Sequence, residues 1–458
     1  MLLLLWLAGM WRGVSRALPP GVSTAAPFRT ADIEFLADVT YQRAGAPVHE
    51  RSIFQHVFEM IDEADRFVVV DMFLFDGEHA GDREYVALSS LLADRLLARK
   101  ASVRGLAVTF ITDEINNFYG AYQSDLVERL KAGGVQVVIT DLTKLRDSNP
   151  AYSSIWRMVF RWFGTAGPGL VPHPLSSTGR RVTLRSYLKM LNFKANHRKL
   201  IVTDEACLVA SANPHDASSF HSNIAFATHG TLCADILESE RAVAAFSGAV
   251  IPPHVIDDAS EHGGSSTVQL VTEGEIRTQL VDVLDATGVD DSIDVAMFYL
   301  SDREVIEALE RAARRGAHVR LMLDPNKDAF GREKGGVPNR QVARELRRST
   351  DGAVEVRWFD THGEQFHTKL VRVTTRAGTT IMGGSANLTR RNIGDYNLEA
   401  DLMIVPDSAL DATVAGYFDR LWTNRDGQFT VDFSAYDDPS LLKRWQYRVQ
   451  EFTGLSSF

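Results

Sequence analysis

Hydrophobic positions along this chain switch between two spacings. From Ser52 to Ala64, Ile53, Val57, Met60 and Ile61 fall at helical intervals, and the run Phe67 to Phe75 is apolar except for Asp71, as in a strand buried on both faces. The pattern then predicts a helix over Tyr85 to Arg99, a strand over Ala107 to Thr112, a helix over Tyr122 to Ala132 stopped by Gly133-Gly134, and a strand over Val135 to Thr140. The second half repeats this order. Ile276 to Leu284 reads as a helix, Ile293 to Leu300 as a strand, Asp302 to Arg315 as a helix and His318 to Leu323 as a strand, followed by helix Asn339 to Arg347 and strand Val354 to Phe359. Met297-Phe298-Tyr299-Leu300 even resembles Met72-Phe73-Leu74-Phe75. Alternating strands and helices predict the α/β class. The expected architecture is two similar α/β/α lobes with mixed, mainly parallel sheets, related by a pseudo-twofold axis. Residues 28–246 would form the first lobe and 267–458 the second, with a Pro-, Gly- and Ser-rich linker at 247–266 and an apolar N-terminal segment and linker at 1–27.

Composition narrows the function. With 458 residues and 45% hydrophobic content the chain fills two cores, and its net charge of −10 opposes a general nucleic-acid binder, whose affinity rests on neutralising phosphates. The two cysteines, Cys207 and Cys233, lack metal-site spacing and read as free, buried small hydrophobes. The start, Met1 to Trp11, is apolar but shorter than the ~20 residues of a spanning helix. No basic residue precedes it, so it reads as an atypical export signal or a membrane-contacting arm. One segment breaks the repeat. An insert over 141–195 holds Ile155-Trp156-Arg157-Met158-Val159-Phe160-Arg161-Trp162-Phe163, aromatics interleaved with arginine, which suits a bilayer interface or an amphipathic helix packed on the lobe itself.

The reactive side chains stand at the ends of the repeats. Asn196-His197-Arg198-Lys199-Leu200-Ile201-Val202-Thr203-Asp204 has an echo in Phe366-His367-Thr368-Lys369-Leu370-Val371-Arg372-Val373. In each, a His and a Lys two residues apart head an aliphatic run that reads as a strand, so both side chains leave one face. A second short strand follows, then Ala210-Ser211-Ala212-Asn213 in one copy and Gly384-Ser385-Ala386-Asn387 in the other. Ser211, Asn213, Ser385 and Asn387 are expected to bind substrate, as donors to phosphate oxygens. Two such sets suit phosphodiester exchange. One imidazole attacks phosphorus, the second protonates the leaving alkoxide, and Lys199 and Lys369 stabilise the developing charge. The scheme calls for no metal and no cofactor.

H-x-K-x-x-x-x-D followed by G-S-x-N, twice in one chain, resembles the phospholipase D superfamily, in particular bacterial phosphatidyltransferases such as cardiolipin and phosphatidylserine synthases. The resemblance spans roughly Ala31 to Trp422. It implies a phosphohistidine intermediate, a phospholipid substrate, and a membrane-associated place in the bacterial cell envelope. It assigns catalysis to His197, Lys199, His367 and Lys369, with Asp204 in support. Three departures stand out: Thr374 where the second copy would have its Asp, Ala210 where the first would have Gly, and Asn223-Ile224-Ala225 where the second copy has Asn397-Leu398-Glu399. In the family an acid at that last place orients the imidazole. The expectation is therefore that Glu399 orients His367 and that His197 lacks an acid. Family usage points to His197 as the nucleophile and the missing acid points to His367, and both assignments stay open.

Other polar residues read as structural. His215, Asp216 and His221 fit solvated turns, and Asp113, Glu114 and Asp324, at strand ends, fit helix caps. The leading reading is phosphatidyl transfer or phospholipase D hydrolysis at a membrane surface. A nuclease of the same superfamily and a degenerate, non-catalytic lipid-binding member are the alternatives.

Overall fold

The hydrophobic runs build two mixed β-sheets. In the computed structural model, which describes residues 1–78, 83–174, 176, 179–254, 256, 265–329, 332–333 and 335–456, one sheet has eight strands. Their order is Ala46–Glu50, Ile33–Arg43, Asn223–His229, Ala206–Ala210, Lys199–Thr203, Phe67–Met72, Ala107–Thr112 and Gln136–Ile139. The other sheet has nine: Arg29–Ala31, Ser266–Thr272, Ala400–Val405, Gly378–Gly384, Lys369–Thr375, Ser292–Met297, His318–Leu323, Val354–Phe359 and Thr430–Asp432. The seven strands from Ile33–Arg43 to Gln136–Ile139 and the seven from Ser266–Thr272 to Val354–Phe359 share one order and one set of directions.

The expected α/β class with two mixed sheets holds, but the balance within the sheets differs. Each seven-strand unit has four antiparallel and two parallel pairings, so the sheets are mainly antiparallel. The cause is local. Only Asp204 and Glu205 separate Lys199–Thr203 from Ala206–Ala210, a link too short for a parallel crossover. Arg29–Ala31 also departs from the expected division of the chain, because it pairs with Ser266–Thr272 in the second sheet. Of the expected linker, residues 255 and 257–264 lie outside the described residues.

Helices cover the sheets as their periodicity dictates. Ile53, Val57, Met60 and Ile61 are all buried beneath Ile53–Glu63, and Leu92, Leu96, Val127 and Leu130 join the same outer cluster. Gly274–Asp285, Arg303–Arg314 and Asn339–Ser349 do likewise on the second sheet, the middle one started by Asp302, whose carboxylate accepts from the amides of Glu304 and Val305. The inner faces of the two sheets meet in one shared core, where Val202, Val209 and Phe226 lie with Leu370, Ile381 and Leu402, flanked by helices Thr231–Phe246 and Ser408–Trp422. Cys207 and Cys233 lie in this core and form a disulfide, with 5.3 Å between their Cα atoms, which corrects the reading of two free thiols. Spacing alone could not show it, since the strand and the helix that carry them become neighbours only in the fold.

Two expected strands end early, and the difference matters. Phe67–Met72 and Ser292–Met297 stop before Phe73 and Phe298, and these aromatic residues turn instead into a cavity between the sheets.

Candidate active site

The His-x-Lys segments enter the fold at the head of the strands Lys199–Thr203 and Lys369–Thr375, and the chain around them bridges the two lobes. The His197 amide donates to Leu398 O at 2.9 Å, and the Ser222 amide to Gln365 O at 3.0 Å. Reciprocal contacts of this kind place His197 and His367 on one cavity of about 180 Å³. Each His-x-Lys pair is arranged alike. Lys199 Nζ donates to His197 O at 2.6 Å and Lys369 Nζ to His367 O at 2.7 Å. Each ammonium also lies over a ring, Phe73 at 5.4 Å and Phe298 at 5.3 Å, and the same rings flank the two imidazoles. Both side chains of each pair leave one face, as the strand pattern predicts.

The orienting groups cross between lobes. Glu399 does not reach His367, as the sequence implied; its two oxygens lie 2.8 and 3.0 Å from His197 Nδ1. His367 Nδ1 lies instead 3.1 Å from Asn223 Oδ1 of the first lobe. One histidine therefore has a carboxylate behind it and the other a neutral amide. Each orienting group is itself fixed. Glu399 accepts from Ser385 Oγ and Asn392 Nδ2, while Asn223 Oδ1 accepts from Ser211 Oγ at 3.0 Å. These bonds correct the expected role of the serines: both hydroxyls are fully buried and spent on the orienting residues, with none turned to substrate. Asn213 and Asn387 do line the cavity, and Asn387 Oδ1 is buried with no partner among the described residues. The departure at Ala210 has a steric basis. A Cβ on its counterpart Gly384 would come 2.4 Å from Ala400 O, a clash the first copy does not meet.

Asp204 is corrected as well. It lies at the far end of its strand, buried, and accepts from the amides of Asp65 and Arg66. Five residues at ~3.3 Å each put it ~16 Å from the Lys199 end. Its absence at Thr374 accordingly leaves the second half of the site intact. Asp113 and Asp324 do more than cap. They accept from the amides of Asn196 and Phe366, the residues just before the two histidines, at 2.6 and 2.8 Å. His215, Asp216 and His221 are not solvated turn formers. His215 and His221 line the cavity, the Gln365 amide donates to His221 Nδ1 at 3.2 Å, and Asp216 accepts from Ser89 at the start of helix Leu88–Ser102.

Two residues escaped the sequence reading. Arg198, the variable residue of the first His-x-Lys, is fully buried and bonds Glu240 and Glu273 at 2.7 Å each, while Glu273 also accepts from the Glu399 amide. It ties the first motif to the strand that carries the orienting acid. Arg391 lines the cavity, with Nη1 donating to Ser456 O at 2.9 Å and Nε buried without a partner among the described residues. The first copy has Ala217 at this place, so the repeat concealed it.

Burial sets the charges. It pushes Lys199 down to about 7, against the pull of Glu399 and Asp71, and holds Lys369 well below its usual range, helped by repulsion from Lys199. It raises Glu399 to about 7, opposed by Lys199. Both histidines are held well below the usual imidazole range by burial and by the two lysines. With Nδ1–H donating to Glu399, the His197 imidazole keeps a lone pair on Nε2.

The fold, two mixed sheets sharing one core, is that of a phosphatidylserine synthase, and part of the second lobe is similar in sequence to a PLD-like domain. The crystal structure of phosphatidylserine synthase from Haemophilus influenzae Rd KW20 matches with a TM-score of 0.58 at 13% identity, covering 94% of this chain and 96% of that one. Residues 280–422, which hold His367, Lys369, Ser385, Asn387 and Glu399, match the family described as cardiolipin synthase, PLD-like domain. Polyphosphate kinase from Porphyromonas gingivalis matches at 13% identity over 93% of this chain and 53% of that one, TM-score 0.49. The phospholipase D family member Nuc from Salmonella typhimurium matches at 18% identity over 36% of this chain and 98% of that one, TM-score 0.28. No curated protein matches the sequence. Residues 280–422 are thus similar in sequence to the PLD-like domain family, and the chain as a whole shares its fold with the phosphatidylserine synthase.

Proposed function

We propose that the chain transfers or hydrolyses phosphodiesters of phospholipids, with the two lobes sharing one site. His197 Nε2 attacks phosphorus, the P–O bond to the leaving alcohol breaks, and His367, which enters the step as an imidazolium charged in the presence of the bound diester anion, gives that oxygen the proton on its Nε2. His367 then takes a proton from water or an acceptor alcohol, whose oxygen attacks phosphorus and frees His197. Lys199, Lys369, Asn213 and Asn387 bind the phosphoryl oxygens. The observation that carries the assignment is the Glu399 carboxylate 2.8 Å from His197 Nδ1. A carboxylate stabilises an imidazole that becomes cationic, as an N-phosphorylated one does. The neutral Asn223 amide behind His367 favours a group that gives its proton up.

Two features favour work at a membrane outside a reducing cytosol. Leu2 to Leu5 and Trp11 on the N-terminal helix, and Trp162 and Phe163 in the insert, expose their side chains, although no helix among the described residues is long and apolar enough to cross a membrane. The Cys207–Cys233 disulfide fits an oxidising compartment.

The test is to incubate purified protein with mixed micelles of phosphatidylglycerol and phosphatidylethanolamine and follow products by mass spectrometry. Phosphatidic acid or a new phosphodiester should form with wild type, and with neither His197→Ala nor His367→Ala. Cleavage of single-stranded DNA with the lipids untouched would transfer the site to a nuclease, and inertness toward both would make the protein a binder.

A further inference from the structure

A second cavity, of about 880 Å³, opens between the N-terminal helix Leu2–Val14, the insert and the first lobe. The helix is held there by specific bonds. Trp6 Nε1 donates to Ala151 O at 2.9 Å, Ser154 Oγ to Trp6 O at 3.0 Å, and Arg157 Nη2 to Gly9 O at 2.7 Å, while the Asp147 amide donates to Gly13 O at 3.0 Å. The approach is so close that a Cβ at Gly9 would lie 2.2 Å from Ser154 Oγ.

The charge of the cleft is opposite to that of the whole chain, whose net charge is −10. Among the described residues, seven cations line it and a single carboxylate, Glu114. Lys189 occupies Glu114 at 2.7 Å, and buried Asp147, just behind the wall, holds Lys194 at 2.8 Å and Arg157. Arg16 donates to Thr143 O. Arg12, Lys144 and Arg161 have no carboxylate within ion-pair distance among the described residues. The same two elements carry the apolar exposure: Leu3, Leu4 and Trp11 from the helix, and Trp162 and Phe163, 71% and 64% exposed, from the insert.

We infer that this cleft seats the headgroup of an anionic phospholipid, with its phosphate on Arg12, Lys144 and Arg161 and its acyl chains along the exposed face of helix and insert. The uncompensated positive charge selects a headgroup with net negative charge over a zwitterionic one, whose own ammonium would be repelled. The seat is separate from the catalytic cavity but shares a wall with it, since Tyr119 and Lys194 line both. It therefore docks the enzyme with the reaction cavity beside an anionic membrane surface. The inference rests on the proposed lipid chemistry for its meaning, but its test reads binding and needs no turnover.

The full chain is cosedimented with phosphatidylcholine vesicles with and without phosphatidylglycerol. Four proteins are compared: wild type, Arg12→Gln/Lys144→Gln/Arg161→Gln, a control with the exposed cations Arg104, Arg376 and Arg425 each changed to Gln, and His197→Ala. The expected result is that phosphatidylglycerol tightens wild-type and His197→Ala binding alike, and that the cleft triple weakens that binding about a hundredfold, at roughly fivefold per residue. Binding to pure phosphatidylcholine should be unchanged. Equal losses in the control would show a diffuse field and overturn the inference. Release from the vesicles by millimolar glycerol phosphate would show a site for soluble phosphates and overturn it too. If the vesicle preference appears and no lipid is turned over, the proposed function falls and the seat stands; turnover of a soluble short-chain lipid with no preference for phosphatidylglycerol is the reverse.

Discussion

Glu399 belongs to one repeat and serves the histidine of the other. Its carboxylate is fully buried, accepts from Ser385, Asn392 and His197, and has its amide anchored on Glu273, so it has no freedom to reach another partner. The first-copy counterpart, Ala225, lies wholly within the core of its lobe. The two imidazoles are thus unequal by construction, and the inequality can be read kinetically. Glu399→Gln keeps the shape and a hydrogen bond but removes the charge, and turnover should fall by about 10³- to 10⁴-fold. In combination with His197→Ala it should cost nothing further, because residues acting as one unit are not additive. Asn223→Ala should couple to His367→Ala in the same way, with a smaller loss. Steady-state rates of the singles and doubles decide this. Coupling of Glu399 to His367 would reverse the assignment of nucleophile and acid.

Among the elements, position along a strand separates chemistry from support. Lys199 stands at one end of Lys199–Thr203, and Asp204 just past the other end holds the amides of Asp65 and Arg66 where Phe67–Met72 begins. Asp204→Ala should therefore cost about 1–3 kcal/mol of stability, for the lost hydrogen bonds to its buried carboxylate, and leave kcat within about twofold. Thermal melts beside rates at low temperature test this, and a large fall in kcat with an unchanged melt would return Asp204 to the active site. The same elements show what could be read from sequence. Ile53, Val57, Met60 and Ile61 announced their helix because an amphipathic face is a local pattern, and the doubled His-x-Lys announced a doubled site. The true ends of the strands were hidden, since Phe73 and Phe298 are apolar for the sake of the cavity and not of the sheet. The serines misled because a hydroxyl after a turn serves a ligand or a neighbour equally well. The Glu399–His197 pairing and the disulfide were invisible for a common reason: both join segments that only the tertiary packing brings together.

For the molecule as a whole, the packing of the two sheets buries two lysine amines, one from each lobe, beside the cavity that His197 and His367 line. Lys199 is pushed to about 7 by burial and Lys369 is held down partly by Lys199, so the free protein has a site whose charge is unsatisfied until an anion enters. A diester monoanion favours the charged lysines, which raises their proton affinity, so binding takes up protons. The sign follows from the direction of the shifts. Below about 7 Lys199 already carries its proton and affinity changes little on its account; above it, the free protein must first acquire that proton, and binding weakens with rising pH. Dimethyl phosphate is a suitable probe, since it stays a monoanion over this range. Its Kd should rise about tenfold per pH unit above about 7, the slope of one linked proton, and calorimetry in buffers of different ionisation heat should show the uptake directly. Lys199→Met should weaken binding and flatten the slope. A wild-type Kd that stays level to two pH units above about 7 would mean that Lys199 keeps its charge despite its burial, and that the packing of the two lobes does not tune the site.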